Sequence, residues 1–321
     1  MGTSGSLVAT IGVFDGVHLG HRFLLNKVCE VAAERGMSSL AVTFEPTPAE
    51  VFAQRVADVP ADGDPDSQGR LLSLLTLDER RERLLCTGID KVEVLPFSRE
   101  LAAMTASQFM TFLMERYGVR VLVMGYDHRF GCEQRRDTAF YDAAAARVGM
   151  EIVHATAYAG AKEGCSESSV SSTCIRKALL HGDAKAAEAA LGYPYFMAGK
   201  VIDGDGRGRT LGFPTANLAI DERKLVPATG VYAVKVEIGN PRHSFWGMMN
   251  IGLCPTFGGR TERRIEVHIL DFDADIYGQT LRVSLLHRLR NEQRFPSVEA
   301  LVTQLQTDAK QVRDYIQRIQ E

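Results

Sequence analysis

Two histidines three residues apart, His18 and His21, stand in the segment GVFDGVHLGH with Gly12, Gly16 and Gly20. Glycines at this density allow sharp turns and close approach of backbone to a ligand. A helix that starts beside them presents unpaired N–H groups and the positive end of its dipole, which together favour an anion. Two imidazoles about one turn apart can converge there and donate to a phosphoryl group as charge builds on it. The segment holds no covalent nucleophile, so the chemistry it suits is direct attack at a nucleotide phosphorus. Taken alone, an H-x-x-H pair is more often two surface histidines on a turn, and here the glycines and the place after the first strand shift the balance. A zinc pair would need a third ligand, and none is recognisable nearby.

A second constellation is SSVSSTCIR, in which Ser171, Ser172 and Thr173 read as the cap and first turn of a helix. Ser172 and Arg176 are four apart, so a hydroxyl and a guanidinium can face the same phosphates. Plain helix capping is the competing explanation. The third is GDGRGRTLGFPTAN, where Gly204, Gly206, Gly208 and Gly212 form a cradle and Arg207 and Arg209 supply positive charge. It lacks the Gly-Lys-Ser/Thr ending of a P-loop, and Pro214 discourages a helix there. If the chain runs extended from Pro214, then Thr215 and Asn217 project from one side. A hydroxyl and an amide oxygen, completed by phosphate oxygens and water, suit Mg²⁺. Glu266, an acid on the polar side of a β-branched strand, is the candidate to accept a hydroxyl proton. The plain alternatives are a surface hairpin for the loop and an exposed strand carboxylate for Glu266.

These residues need a scaffold, and the first half of the chain alternates. Strand-like Leu7–Phe14, Ser39–Phe44, Lys91–Leu95, Arg120–Met124 and Glu151–Ala155 are separated by helix-like His21–Arg35, Asp78–Cys86, Ala106–Tyr117 and Thr138–Val148. That order predicts a doubly wound α/β domain with a parallel sheet, and ligands gather at the carboxyl ends of such strands. A Gly/Pro/Asp-rich stretch at about 58–69 reads as a loop. A helical stretch follows from Ser172 to about Leu191, and the domain boundary is expected there, giving 1–190 and 191–321. The second part reads as strands: Ala198–Asp203, Val231–Ile238, Phe245–Ile251, Arg264–Phe272 and Leu281–His287. It predicts a small antiparallel β-barrel. In RIEVHIL the alternation puts Ile265, Val267 and Ile269 on one face and Glu266, His268 and Leu270 on the other. Ser297 is placed to cap a closing C-terminal helix whose apolar stripe reads as core packing.

The chain has 321 residues, 45% hydrophobic and 24% charged, enough for two domains with sizeable cores. A net charge of −3 argues against nucleic-acid or membrane-surface partners. The six cysteines include no Cys-x-x-Cys pair, a pattern that suits reduced thiols, and no apolar run approaches membrane-spanning length. The expectation is a cytoplasmic protein whose partners are small molecules; the sequence is silent on oligomeric state.

Eight motifs in order carry a resemblance. GVFDGVHLGH, FEPTP (Phe44–Pro48), MGYDHRFG (Met124–Gly131) and SSTCIR resemble the adenylyltransferase half of the bifunctional riboflavin kinase/FAD synthetases. GRGRTLGFPTANL, GVYAV (Gly230–Val234), NIGLCPTFGG (250–259) and EVHILDFDADIYG (Glu266–Gly278) are similar to successive signatures of the riboflavin kinase half. The resemblance implies phosphorylation of riboflavin to FMN and adenylylation of FMN to FAD, with Mg²⁺ and ATP. It implies that His18 and His21, with Gly12, Phe14, Asp15, Gly16 and Gly20, meet ATP phosphates. Ser171, Ser172, Thr173 and Arg176 would close on the nucleotide, and Asp127 and Arg129 would line the nucleotide or flavin side. In the second half, Gly206, Gly208, Arg209, Thr210, Gly212, Phe213 and Pro214 would cradle Mg·ATP. There Thr215 and Asn217 would be metal ligands and Glu266 the base, with residues near Arg290–Phe295 and the closing helix covering the flavin ring. Thr47 and His128 depart from the family pattern, which has His and Phe there. Two rivals are a different H-x-G-H adenylyltransferase, which would have no use for the kinase-like half, and a flavin-binding regulator with decayed sites.

Overall fold

The computed structural model describes residues 6–52, 72–126, 128–133, 135, 137–158, 160, 170–204, 206–239, 242–255 and 261–320. Asp127, the expected loop at 58–69, Asp205 and residues 256–259 of the NIGLCPTFGG motif lie outside them. The chain divides into two compact units that part between Ser171 and Ser172.

The first unit is a five-stranded, wholly parallel sheet. Its elements run β1 (Leu7–Ile11), α1 (Leu19–Glu34), β2 (Ser38–Phe44), α2 (Pro48–Phe52), α3 (Leu77–Leu85), β3 (Lys91–Leu95), α4 (Arg99–Ala103), α5 (Ala106–Tyr117), β4 (Val119–Met124), α6 (Thr138–Val148) and β5 (Glu151–His154). The sheet order is β3-β2-β1-β4-β5. The winding therefore reverses between β1 and β4, the place where a doubly wound sheet opens a crevice for ligands. β1 is buried along its whole length, as a strand covered on both faces must be. It ends at Ile11, three residues short of the expectation. Phe14 and Val17 take positive φ (51° and 37°), which no strand accommodates. Two helices open on reciprocal capping boxes, Thr76 with Glu79 on α3 and Thr105 with Gln108 on α5.

The second unit opens with α7 (Ser172–Leu180) and α8 (Ala184–Leu191), followed by β6 (Phe196–Ile202), α9 (Arg207–Thr210), β7 (Ala216–Ile220), β8 (Gly230–Ile238), β9 (His243–Pro255), β10 (Thr261–Ile269), β11 (Thr280–Arg290) and α10 (Val298–Gln320). The strands close an antiparallel barrel in the order β10-β7-β6-β11-β8-β9. Alternation in β10 falls as the sequence predicts: Ile265, Val267 and Ile269 are buried inside. Leu270 is covered on the outside, clustered with Met248, Ala309 and Val312 beneath α10. Ser297 caps α10 by accepting from Ala300 N (3.2 Å).

Three expectations need correction. The helical stretch from Ser172 to Leu191 is two helices, broken where Gly182 takes φ 78°. The glycine–arginine loop carries a short helical turn, α9, and the PTAN segment leads into a strand, β7, that sequence reading missed. Cys29, Cys86 and Cys132 are free thiols, but Cys174 is disulfide-bonded, against the expectation of reduced cysteines. The helices α7 and α8 pack with the barrel: Ala228 N donates to Leu179 O (3.0 Å), and Arg288 reaches His181 O (3.4 Å).

Candidate active sites

In the first unit the loop after β1 places His18 as the N-cap of α1. Its Nδ1 accepts from His21 N (3.3 Å), so the proton of the neutral ring sits on Nε2, free to donate outward. The two rings stack with centroids 3.6 Å apart, and the buried Phe14 ring meets His21 edge-on at 5.3 Å. Burial pushes the His18 imidazole down to about 4. Burial first, then the neighbouring His18 and His128 rings, hold His21 well below the ordinary imidazole range. Nδ1 of His21 is enclosed with no hydrogen-bond partner among the described residues. The pair is thus a neutral, desolvated donor site at a helix start, and its donors gain strength from exclusion of water.

The loop is held rigidly. Gly16 (φ 84°) makes the turn that a side chain would strain. The Asp15 carboxylate accepts from Leu74 N (2.9 Å) and Leu75 N (3.3 Å), so it braces the loop against a distant segment. Arg80, 2% exposed, donates to Val13 O (3.3 Å), Phe44 O (2.9 Å) and Glu45 (2.8 Å). It ties the carboxyl ends of β1 and β2 together. Sequence reading missed this residue, because nothing in its α3 neighbourhood distinguishes it from an exposed helical arginine. Val170, one residue before the SSTCIR signature, comes to the same loop: a Cβ on Gly20 would lie 3.8 Å from its carbonyl oxygen and 3.3 Å from the His18 ring. Ser171 ends the first unit, while Ser172, Thr173 and Arg176 start α7 in the second.

Beside the histidines, a cavity of about 620 Å³ opens at the strand ends, lined by Gly12, Phe44, Phe52, Phe97, Phe109, His128, Arg129 and Phe130 among others. Its aromatic walls suit a flat conjugated ring. The two departures fare differently. His128 lines this cavity, whereas Thr47 is spent on a cap, its hydroxyl donating to Glu50 (2.8 Å) and accepting from Glu50 N (3.3 Å).

In the barrel the site is a product of strand register. Asn217 on β7 lies opposite Glu266 on β10, which lies opposite Asn250 on β9. Directly opposed residues share a face, so the three side chains form a polar row. The row continues through Val231 on β8 to Arg290 at the end of β11. All five line one cavity of about 400 Å³, with Gly206, Gly208, Phe213 and Thr215 on one side and Phe295, Leu301 and Leu305 on another. Asn250 stands within the NIGLCPTFGG motif, and only strand register makes it a neighbour of Glu266. Arg264 stands 3.9 Å from Glu266 on the same strand face. His268, also in the cavity wall, bonds through Nδ1 to Pro214 O (2.8 Å) and packs edge-on against Phe213 (5.2 Å). Burial lowers its basicity. It fixes the turn that carries Thr215 and was missed for the same reason as Asn250.

The glycines of the cradle are required by contact. A Cβ on Gly204 would run into the Asn217 carboxamide, and one on Gly208 into Phe213 O and the Thr215 hydroxyl. Arg209 and Pro214 face a neighbouring cavity of about 460 Å³ with Asp273, Asp275 and Tyr277, and Thr215 borders both cavities. Gly212 lines a third cavity of about 630 Å³, and the Thr210 hydroxyl closes α9 on Arg207 O (2.8 Å). Among the described residues no three His, Cys, Asp or Glu side chains cluster as a metal cage.

Residues 2–173 match the family model described as FAD synthetase, and residues 191–316 match that described as riboflavin kinase. The chain is 37% identical to the bifunctional riboflavin kinase/FMN adenylyltransferase of Escherichia coli strain K12, covering 96% of this chain and 92% of that one. It is 38% identical to the protein of the same description from Pseudomonas fluorescens (95% and 92%), and 32% identical to that of Listeria monocytogenes (98% and 94%). A crystal structure described as a macrolide-efflux protein from Streptococcus pneumoniae matches with a TM-score of 0.81 at 34% identity, over 98% of this chain and 95% of that one. No helix among the described residues is long and apolar enough to cross a membrane.

Proposed function

The chain belongs to the family of bifunctional riboflavin kinases/FMN adenylyltransferases, and on that premise we propose how its two cradles divide the work. The protein phosphorylates riboflavin to FMN with ATP and adenylylates FMN to FAD with release of pyrophosphate. Residues 1–190 carry the adenylyl transfer and residues 191–321 the phosphorylation. The signature on α7 is read with the first activity even though that helix packs with the barrel.

In the adenylyl step an FMN phosphate oxygen attacks the α-phosphorus of ATP, and the bond to the β-phosphate oxygen breaks. His18 and His21 donate to the phosphoryl oxygens as that bond lengthens. His18 is buried and His21 half-buried; both neutral, they contribute aimed donors rather than bulk charge. The aromatic cavity beside them receives the isoalloxazine, with Arg129 at its rim. Gly12, Phe14, Gly16 and Gly20 shape the phosphate seat, and Asp15 holds it in place.

In the phosphorylation step Glu266 accepts the proton of the ribityl 5′-hydroxyl as its oxygen attacks the γ-phosphorus, and ADP leaves. Riboflavin occupies the cavity walled by Phe295, Leu301 and Leu305, and the nucleotide lies on the Arg209 side. Thr215 borders both cavities, which supports a role for it between the hydroxyl and the phosphate. The hydroxyl of Thr215 and the amide oxygen of Asn217 are hard donors beside a glycine cradle, and they fit Mg²⁺ that takes its remaining ligands from phosphate and water. When bound, the ion would screen phosphate charge. Gly206, Gly208, Thr210, Gly212, Phe213 and Pro214 hold those two residues in register. ATP, riboflavin and FMN are the partners in this reading, without nucleic acid or membrane, and the cytoplasm is the setting.

The observation that carries the assignment is the Asn217–Glu266–Asn250 row opening on the same cavity as Thr215. Crystals of the full chain with Mg²⁺ and a non-hydrolysable ATP analogue test it. Phosphate tails should lie against the His18–His21 pair and against the Thr215–Asn217 turn. A tail placed elsewhere in either half would remove that half of the assignment.

A further inference from the structure

The kinase cavity is bounded by a buried charge that touches no reacting atom. Asp308 lies on α10 and is fully buried. Arg290, last in the polar row, donates to it through Nε (3.0 Å to each oxygen) and through its terminal nitrogen (2.8 Å). Gln304 adds a fourth bond to the same carboxylate (2.8 Å). The other guanidinium nitrogen holds Asn291 O (3.1 Å), and the guanidinium carbon sits 5.6 Å from the centre of the Phe295 ring. Burying a carboxylate is costly unless it is fully paired, and replacing a buried ion pair by apolar side chains of similar volume is often neutral or stabilising. Ala309 and Val312 on the same helix already belong to an apolar cluster. Stability alone therefore gives little reason for an acid at this position. Leu301 and Leu305 lie seven and three residues before Asp308, on the same helical stripe. One cation thus gathers three walls of the cavity: the strand row through its own backbone, the following loop through Asn291 and Phe295, and the helix through Asp308.

We propose that Asp308 is a positioning residue for riboflavin. Through Arg290 it sets the distance between the apolar wall of α10 and the Glu266 row, and so the width of the slot for the flavin ring. This rests on the reading that this cavity takes the flavin. The carboxylate acts on the binding of one substrate and leaves the phosphate chemistry, on the far side of Thr215, unaltered.

The test is initial-rate phosphorylation by the full chain, varying riboflavin at saturating Mg·ATP and then the reverse. Asp308→Asn and Arg290→Lys, which break the two-pronged pairing, should each raise the KM for riboflavin about tenfold while kcat and the KM for ATP stay within about twofold. Gln304→Leu, which strands no charge, should raise it about two- to threefold and carries the test if the first two variants fold poorly. The charge-free pair Arg290→Met with Asp308→Leu should pack well yet keep the raised KM. A lowered kcat with unchanged KM, or an ordinary KM in that double variant, would make the clamp purely structural and overturn the proposal. A rise in the KM for ATP in place of riboflavin would instead overturn the assignment of the cavity to the flavin.

Discussion

The two anion cradles solve one problem with opposite materials. The histidine cradle is local: His18 and His21 are one turn apart, and the helix start that joins them supplies the geometry. The barrel cradle is non-local: Asn217, Glu266 and Asn250 come from three strands and meet only through hydrogen-bond register. The first works with neutral, desolvated rings, and the second with a half-exposed carboxylate and amides beside a glycine turn. A local site depends on its own turn and cap. A register site depends on every strand between its members, because a slip of one residue would send Glu266 to the other face.

The contrast can be broken most forcefully at Glu266. Glu266→Gln keeps the shape of the row and removes the proton acceptor, so FMN formation should fall about 10²–10⁴-fold while adenylylation of supplied FMN is spared. Loss of both activities in folded protein would mean that the sites are not separate. His21→Ala is the mirror experiment: FAD formation should fall about 10²–10³-fold with FMN formation retained, as expected for removal of one transition-state donor. An unaltered rate of FAD synthesis would take the imidazole out of the phosphate seat.

The smallest effect concerns pH. His18 is held at about 4 in the fold against 6.5 when unfolded. The unfolded chain therefore takes up the proton first as pH drops. The stabilising contribution is complete above 6.5 and is lost as pH falls towards 4, on the order of 3 kcal/mol across that window. His18→Asn retains an oxygen to cap α1 but cannot titrate. Hydrogen-exchange protection of β1 and α1 should consequently decline less between pH 7.5 and 5 in that variant than in the parent. Equal declines would show that the buried imidazole is not the source.

How much could be read in advance follows the same division. The His-x-x-His pair, the helix cap at Ser297, and the inward set Ile265, Val267 and Ile269 all rest on spacing within one element, and they are where the sequence places them. Strand β7 and the supporting roles of Arg80, Asn250, His268 and Asp308 were not legible. Each rests on a partner far away in the chain: Arg80 on the ends of β1 and β2, His268 on Pro214, Asp308 on Arg290. Asp15 illustrates the limit most plainly. It sits inside a phosphate-type motif, yet its carboxylate accepts the backbone of Leu74 and Leu75.

By itself, then, the amino-acid sequence determined the alternation that makes a parallel sheet, the period-two faces of the barrel, and the residue types gathered at each cradle. Those follow from side-chain periodicity and backbone preference, which act over a few neighbours. Only the tertiary structure decided that Asn250 joins Glu266, that the α7–α8 pair packs on the barrel, and that one arginine gathers strand, loop and helix around a cavity. Such relations depend on closure of a six-stranded ring and on burial, both set by contacts between residues that spacing along the chain does not connect.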